Sequence, residues 1–193
     1  MFGAFFFNLA LLLAVSAARA EDYRPLKLEY DNGSVVAQAE ILMYNYSASE
    51  IYDATLRWME EEFSNPNRKG QALMQENKQI IFTGQSREVF YTELYTSKIL
   101  YDFSYQIQLD FEDEKLIIQF THMSMTGDDV YGAELELLYR TDGELNKIES
   151  YHRWSNEANE ELNRLATSLF RTVKENKVDT ESVRLSQNFN SNL

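Results

Sequence analysis

The longest regular pattern of apolar and polar positions runs from Ile99 to Phe111, where every second residue is apolar. An alternation over 13 residues predicts a long β-strand with one buried face and one face in contact with water. A turn at Glu112–Glu114 then leads into a second apolar segment, Leu116 to Met123. The two segments predict a central antiparallel hairpin.

The chain before this hairpin predicts a strand, a helix and more strand. Ser34 to Tyr44 has the pattern of a strand, and Ser47 and Glu50 have the spacing of a capping box. The apolar residues from Ile51 to Phe63 cover one side of the helix that this box begins. Residues 72–90 are irregular but strand-like, most clearly at Lys78 to Thr83.

The chain after the hairpin is harder to assign. Residues 124–130 predict a loop. Residues 131–151 alternate like a strand but also contain helix-favouring residues, and we favour an extra hairpin with its turn at Asp142 and Gly143. An amphipathic helix then begins at Ser155 or Asn156 and ends near Asn176.

The order of elements is strand, helix, several antiparallel strands and helix. One face of the long strand is apolar and both helices are amphipathic, so the simplest packing places both helices on that face. The sequence therefore predicts an α+β fold, in the order β-α-β-β-β-β-α with an extra segment before the last helix. The other face of the sheet stays open to solvent.

Two stretches carry a family resemblance. Ser49 to Phe63 resembles the first helix, and Ile99 to Thr121 the central hairpin, of a family of secreted bacterial proteins of unknown function. The resemblance implies a fold like that of the TATA-box-binding protein (TBP) over residues 34–175. It implies no activity, ligand or catalytic residue, and the TBP comparison concerns shape only.

The N-terminus predicts an export signal. An apolar run from Phe5 to Val15 is followed by Ala18-Arg19-Ala20, which has the form of a signal-peptide cleavage site. The run is shorter than the roughly 18–20 residues of a stable membrane span. We therefore expect a signal peptide over residues 1–20 and a periplasmic or secreted protein without stable membrane insertion. Residues 21–176 would form one domain and residues 177–193 a polar, disordered tail.

Composition narrows the classes of function. The formal net charge is −13, which disfavours binding to nucleic acid or to anionic lipid headgroups. Cysteine is absent, so neither disulfides nor a lipoprotein anchor can form.

Candidate chemistry is sparse. Only two histidines occur, and the alternation of residues 116–122 predicts that His122 points to the helix-covered face. Next to Arg153 and Trp154, His152 fits a capping or packing role. The acidic turn around Asp113 and the pair Asp128-Asp129 fit solvated turns better than weak calcium sites. We predict no catalytic residue, no metal and no cofactor, and we favour a protein that is not an enzyme.

The open sheet face gives the leading functional hypothesis. A polar surface on two neighbouring strands would bind an envelope protein, a peptide or a glycan, although an ordinary wet face explains the same pattern. One alternative is a carrier that holds a small apolar ligand near Trp58, Tyr101, Phe103 and Tyr105. Another is a periplasmic hydrolase with strongly perturbed carboxylates. The candidate binding residues on the open face are Asp102, Ser104, Gln106, Gln108, Gln119 and Thr121.

Overall fold

The fold is described from a computed structural model, which describes residues 24–76, 78–127 and 130–190. The predicted signal peptide lies outside these residues. No helix in the described ranges is both long and apolar enough to cross a membrane. The strands are β1 (Glu29–Asp31), β2 (Ser34–Leu42), β3 (Arg68–Glu76), β4 (Gln79–Leu94), β5 (Ser97–Glu112), β6 (Lys115–Gly127) and β7 (Val130–Glu134). The helices are α1 (Ala48–Phe63), a 3-10 turn (Leu135–Leu138) and α2 (Glu149–Asn190).

Within the described residues, the seven strands form one antiparallel sheet in the order β1-β2-β6-β5-β4-β3. Strand β7 pairs with β6 beyond the end of β2, on the same edge, because β5 occupies the other edge of β6. The predicted central hairpin is confirmed as β5 and β6, with Phe111 opposite Leu116.

Both helices cover one face of the sheet, as the sequence predicts. Helix α1 begins with the predicted capping box, in which the Ser47 side chain accepts from the Glu50 amide and the Glu50 carboxylate accepts from the Ser47 amide. Trp58 of α1 and Leu165 of α2 join the inner residues of the sheet, such as Ile107, in one hydrophobic core. The predicted α+β fold, with two helices on one face of an antiparallel sheet, is therefore confirmed.

The N-terminal segment is held by α2 rather than by the sheet. The Leu26 amide donates to Asn163 Oδ1 at 2.7 Å, and the Leu28 amide donates to Asn159 Oδ1 at 2.8 Å. Leu26 is 1% exposed, so this segment is part of the core. The sequence patterns do not predict this contact, because the two partners are more than 130 positions apart.

Several predicted boundaries are wrong. Strand β6 continues to Gly127, where a loop was predicted, because pairing with β7 satisfies its outer edge. Residues 130–145 contain both of the structures that the sequence left open, strand and helix. β7 and a bridge between Tyr139 and Leu145 are extended, while Leu135–Leu138 is a 3-10 turn.

Helix α2 is longer at both ends than predicted. It begins at Glu149, so neither Ser155 nor Asn156 caps it, and His152 lies exposed in its first turns. It continues to Asn190, where a loose tail was predicted.

Candidate functional site

The structure places the six predicted binding residues together on the open face. They lie on the neighbouring strands β5 and β6, where Gln106 is opposite Thr121 and Gln108 is opposite Gln119. All six side chains are half-buried rather than fully exposed. Their backbone groups belong to the sheet ladder, so their side chains are what the face offers to a ligand.

The open face contains a trough of about 470 Å³ that crosses four strands. It includes Ser104 and Gln106 from the predicted set, whereas the other four residues lie beyond its lining. Lys69 on β3 forms one wall of the trough, and His122 on β6 forms the opposite wall. The complete lining is Lys69, Gly70, Gln71, Thr83, Gly84, Gln85, Ser104, Tyr105, Gln106 and His122.

His122 faces the trough because strand β6 contains a β-bulge at this point. The predicted alternation would bury it, but the pairing of β5 and β6 shifts between Ser104 and Gln106, which are opposite Ser124 and Thr121. His122 has a φ of 49° and is exposed, while the next residue, Met123, is fully buried. A bulge inserts one residue and reverses the alternation that follows it. The prediction that His122 faces the helices is therefore wrong.

The floor of the trough is thin because two paired residues are glycines. Gly70 on β3 is opposite Gly84 on β4. A Cβ on Gly84 would lie 2.2 Å from Cε2 of Tyr105, and a Cβ on Gly70 would lie 2.8 Å from Cδ1 of Phe63. Aromatic rings therefore pack directly on the inner side of this backbone, with the trough on its outer side.

A buried polar cluster lies behind the same strands, on the helix-covered face. Ser86 Oγ donates to Glu161 Oε1 at 2.6 Å and lies 3.2 Å from the Tyr105 hydroxyl. Arg164 donates to both oxygens of Glu161, at 2.7 Å and 3.0 Å. Burial raises the pKa of the Tyr105 hydroxyl far above its ordinary value, so this group stays protonated.

Glu62 joins the cluster from α1. Arg164 Nη1 and Ser168 Oγ donate to its two oxygens, at 2.8 Å and 3.0 Å. Arg68 Nε forms ion pairs with Glu62 at 3.0 Å and with Glu161 at 3.6 Å. The side chains of both glutamates are only 11% exposed, and two arginines balance their charge. We call Glu62, Arg68, Glu161 and Arg164 the charge cluster.

Among the residues that the structure describes, two carboxyl groups have a shifted pKa, and neither lines the trough. Burial alone would raise the pKa of Glu161, but hydrogen bonds from Arg164 and Ser86, together with the arginine charges, lower it. Burial raises the pKa of Glu157, against the charge of Arg153. A hydrolase would use a carboxyl group with a raised pKa in a polar pocket. Glu157 and Glu161 lie outside the trough, so they give the hydrolase alternative no support.

The acidic turn between β5 and β6 is occupied by structural contacts. Asp113 accepts from the Ala48 amide at 2.9 Å, and Glu112 pairs with Lys115 at 2.8 Å. In the described ranges, no three His, Cys, Asp or Glu side chains are grouped so that they could hold a metal ion. Asp128 and Asp129 lie outside those ranges.

The residues proposed for an apolar-ligand carrier are mostly packed as core. Trp58, Phe103 and Tyr105 are at most 2% exposed, and Phe103 contacts the rings of both Phe90 and Tyr105 edge to face. Tyr101 is half-buried next to Gly127. These contacts favour packing over ligand binding as the role of the aromatic set.

Sheet order, helix placement and an open polar face together define an α+β domain of the TBP-like class. Residues 38–126 match the model of a particular family, described as a domain of unknown function (DUF4468) with TBP-like fold. The predicted family resemblance is thereby confirmed. No curated protein matches the chain.

Two solved structures are similar to this chain. One is a DUF4468 family protein from Bacteroides ovatus, with 16% identity and a TM-score of 0.62. The matched region covers 76% of this chain and 90% of the Bacteroides ovatus chain. The other is a TBP-like protein from Parabacteroides distasonis, with 16% identity and a TM-score of 0.58. The matched region covers 75% of this chain and 96% of the Parabacteroides distasonis chain. At this identity the similarity shows the fold alone.

Proposed function

We propose that this chain is an exported, non-enzymatic binding module that receives a glycan on its open sheet face. The observation that carries the proposal is the trough. Side chains from β3, β4, β5 and β6 converge there, and most of them end in amides or hydroxyls. Such groups both donate and accept hydrogen bonds, as sugar hydroxyls do.

A glycan fits this position better than a peptide strand. An extended peptide that adds to a sheet uses unpaired backbone groups at an edge. The trough takes three lining residues each from β3, β4 and β5, and of these strands β3 alone lies at an edge of the sheet, whereas β4 and β5 are paired on both sides. Over β4 and β5 a ligand has to be recognised by side chains such as Gln85, Ser104 and Gln106.

Nucleic acid fits poorly despite the TBP-like shape. The net charge of −13 repels a phosphate backbone, and Lys69 is the only Lys or Arg among the described residues that line the trough. The predicted signal peptide supports a periplasmic or secreted location, where a binding module would meet envelope or extracellular glycans.

The test compares two isosteric substitutions on the same face. Gln106→Glu removes two N–H donors from the trough and adds a charge, whereas Gln38→Glu makes the same change on β2, outside the trough lining. We would titrate residues 21–193 with neutral oligosaccharides of glucose, galactose, mannose and N-acetylglucosamine and with acidic oligosaccharides, by calorimetry.

We expect at least one oligosaccharide to bind, and Gln106→Glu to weaken it about tenfold or more while Gln38→Glu leaves it unchanged. A loss of this size corresponds to about 1.4 kcal/mol, which is typical of an unpaired buried donor or acceptor. Equal effects of the two substitutions, or no binding by any oligosaccharide, would refute the proposed site. Cleavage of a bound oligosaccharide, seen by mass spectrometry, would refute the non-enzymatic role.

A further inference from the structure

The trough has a different electrostatic character from the rest of the molecule. The chain carries 31 Asp and Glu against 18 Lys and Arg, yet no Asp or Glu is among the ten lining residues. Lys69 lies on its β3 wall, and both Lys69 and His122 are exposed. A locally cationic trough on an acidic protein attracts an anionic group and repels it from the surrounding surface.

The surroundings of Lys69 leave its ammonium group available. Arg68, its neighbour, points inward to Glu62 and Glu161, so the alternation of β3 directs Lys69 outward. No ion pair of Lys69 is found in the described ranges, whereas Lys115 and Arg140 pair with nearby carboxylates. A free ammonium group in a ligand trough is the usual partner of a carboxylate or phosphate.

The groups near Lys69 complete a site for a carboxylate. Gln85 lies opposite Lys69 on β4, and Ser104 lies opposite Gln85 on β5. Gln85 Nε2 donates one N–H to Thr126 Oγ1 at 3.4 Å, and its second N–H and the Ser104 hydroxyl are neutral donors on the same face as one positive charge. A single positive charge matches a carboxylate better than a phosphate dianion, which the net charge of −13 would repel more strongly.

His122 lies at the opposite wall. Three strand spacings separate β3 from β6, which places the two walls about 14 Å apart along the sheet. One small anion cannot contact both walls, so His122 would contact another part of the same ligand. The trough thus fits a short oligosaccharide with an acidic group at its β3 end.

We infer that the glycan received by the trough is acidic, and that Lys69, with Gln85 and Ser104, binds the carboxylate of a uronic acid unit. This inference rests on the proposed function and deepens it. Hydroxyls of the following sugar units would bind Gln106 and His122.

The experiment compares each acidic oligosaccharide with its own methyl ester. Oligogalacturonate and alginate oligomers would be titrated as free acids and as methyl esters, which keep the sugar chain but remove the charge. The variants are Lys69→Gln and, as a matched control, Lys78→Gln, which removes the same charge from the exposed β3–β4 turn. Circular dichroism would verify that both variants fold, as expected for exposed side chains.

We expect a free acid to bind about tenfold more tightly than its ester, the difference typical of a charge-assisted hydrogen bond. Lys69→Gln should abolish this difference and Lys78→Gln should preserve it. An ester that binds as well as its acid, or a preference that survives Lys69→Gln, overturns the inference.

The outcomes separate this inference from the proposed function. In one outcome, neutral oligosaccharides bind, Gln106→Glu weakens them as expected, and free acids bind no more tightly than their esters. This outcome supports the glycan trough and refutes the Lys69 site. Absence of binding by every oligosaccharide refutes both. Binding of polyglutamate peptide with the same dependence on Lys69 would retain the carboxylate site and refute the glycan.

Discussion

Replacing Glu161 by Gln should destabilise the fold at neutral pH and much less in acid. Glu161 accepts hydrogen bonds from Ser86 and from two nitrogens of Arg164, and its side chain is 11% exposed. Gln keeps the shape but has no charge and only one acceptor oxygen. The substitution therefore leaves Arg164 and Arg68 with one glutamate, Glu62, where they had two.

The expected loss can be worked from these contacts. Removing one partner of a fully buried ion pair costs about 3–5 kcal/mol. Here the Arg164 side chain is 36% exposed and keeps its contact with Glu62, so screening and the remaining pair reduce the loss. We expect a decrease in the free energy of unfolding of about 2 kcal/mol, or a Tm lower by about 4–8 °C.

The pH dependence has a definite sign. The pKa of Glu161 is lower in the folded chain than its ordinary value of 4.5, so ionised Glu161 stabilises the folded state. This contribution is fully present above the unfolded-state pKa, and it is lost as the pH falls through the folded-state pKa. The difference in stability between the wild type and Glu161→Gln should therefore be large at neutral pH and shrink below about pH 4.5.

Urea unfolding followed by circular dichroism, at a series of pH values, would measure this difference. Glu160→Gln is the matched control, because it removes the same charge from an exposed position one residue earlier. Equal losses in the two variants would show that net charge, not the charge cluster, sets the effect. A loss for Glu161→Gln that stays constant from pH 7 to pH 3 would refute the pKa argument.

Three further predictions concern the fold. Gly84→Ala places a Cβ 2.2 Å from the buried ring of Tyr105 and should lower stability by about 2–3 kcal/mol, measured by urea unfolding. Ser47→Ala removes the side-chain half of the capping box and should lower stability by about 1 kcal/mol in the same assay. Asn163→Ala removes two hydrogen bonds to the backbone of Leu26 and should speed hydrogen exchange of the Leu26 amide, measured by NMR.

Each of these has a contradicting result, and two of them have a control. Ser49→Ala, at an exposed position within α1, should leave stability nearly unchanged, and a loss equal to that of Ser47→Ala would count against the cap. Gly84→Ala with wild-type stability would mean that Tyr105 can move aside. For Asn163→Ala, exchange at Ile107, in the middle of β5, should stay slow; uniform acceleration would indicate global rather than local opening.

Much of the fold could be predicted because its signals are local. The capping box at Ser47 needs only four residues of sequence. The alternation from Phe103 to Phe111 is unbroken, with every inner residue buried, because the extra residue of the bulge lies on β6 and not on β5. Ile99 also fits the alternation, yet it is 40% exposed, because it lies near the tip of the β4–β5 hairpin, one residue before the exposed Leu100. Periodicity predicts the face of a strand and not what covers that face.

The candidate site was only partly predictable. Ser104 and Gln106 follow from alternation, but Lys69, Gln71 and the β4 residues belong to irregular strands whose register depends on partners far along the chain. His122 was assigned to the wrong face because a bulge has no reliable signature in one sequence. The charge cluster was missed for a similar reason. Only the spacing of Glu161 and Arg164, three residues apart on a helix, could have indicated it.

The glycine pair makes the trough and the folding core share one wall. Tyr105 lines the trough and packs on Gly84, and its hydroxyl contacts Ser86, which donates to Glu161. Only a single layer of backbone would separate a ligand in the proposed site from this chain of contacts. In that case ligand affinity and resistance to unfolding would depend on the same few side chains. A substitution that loosens the helix-covered side of this wall would then also reshape the floor of the trough.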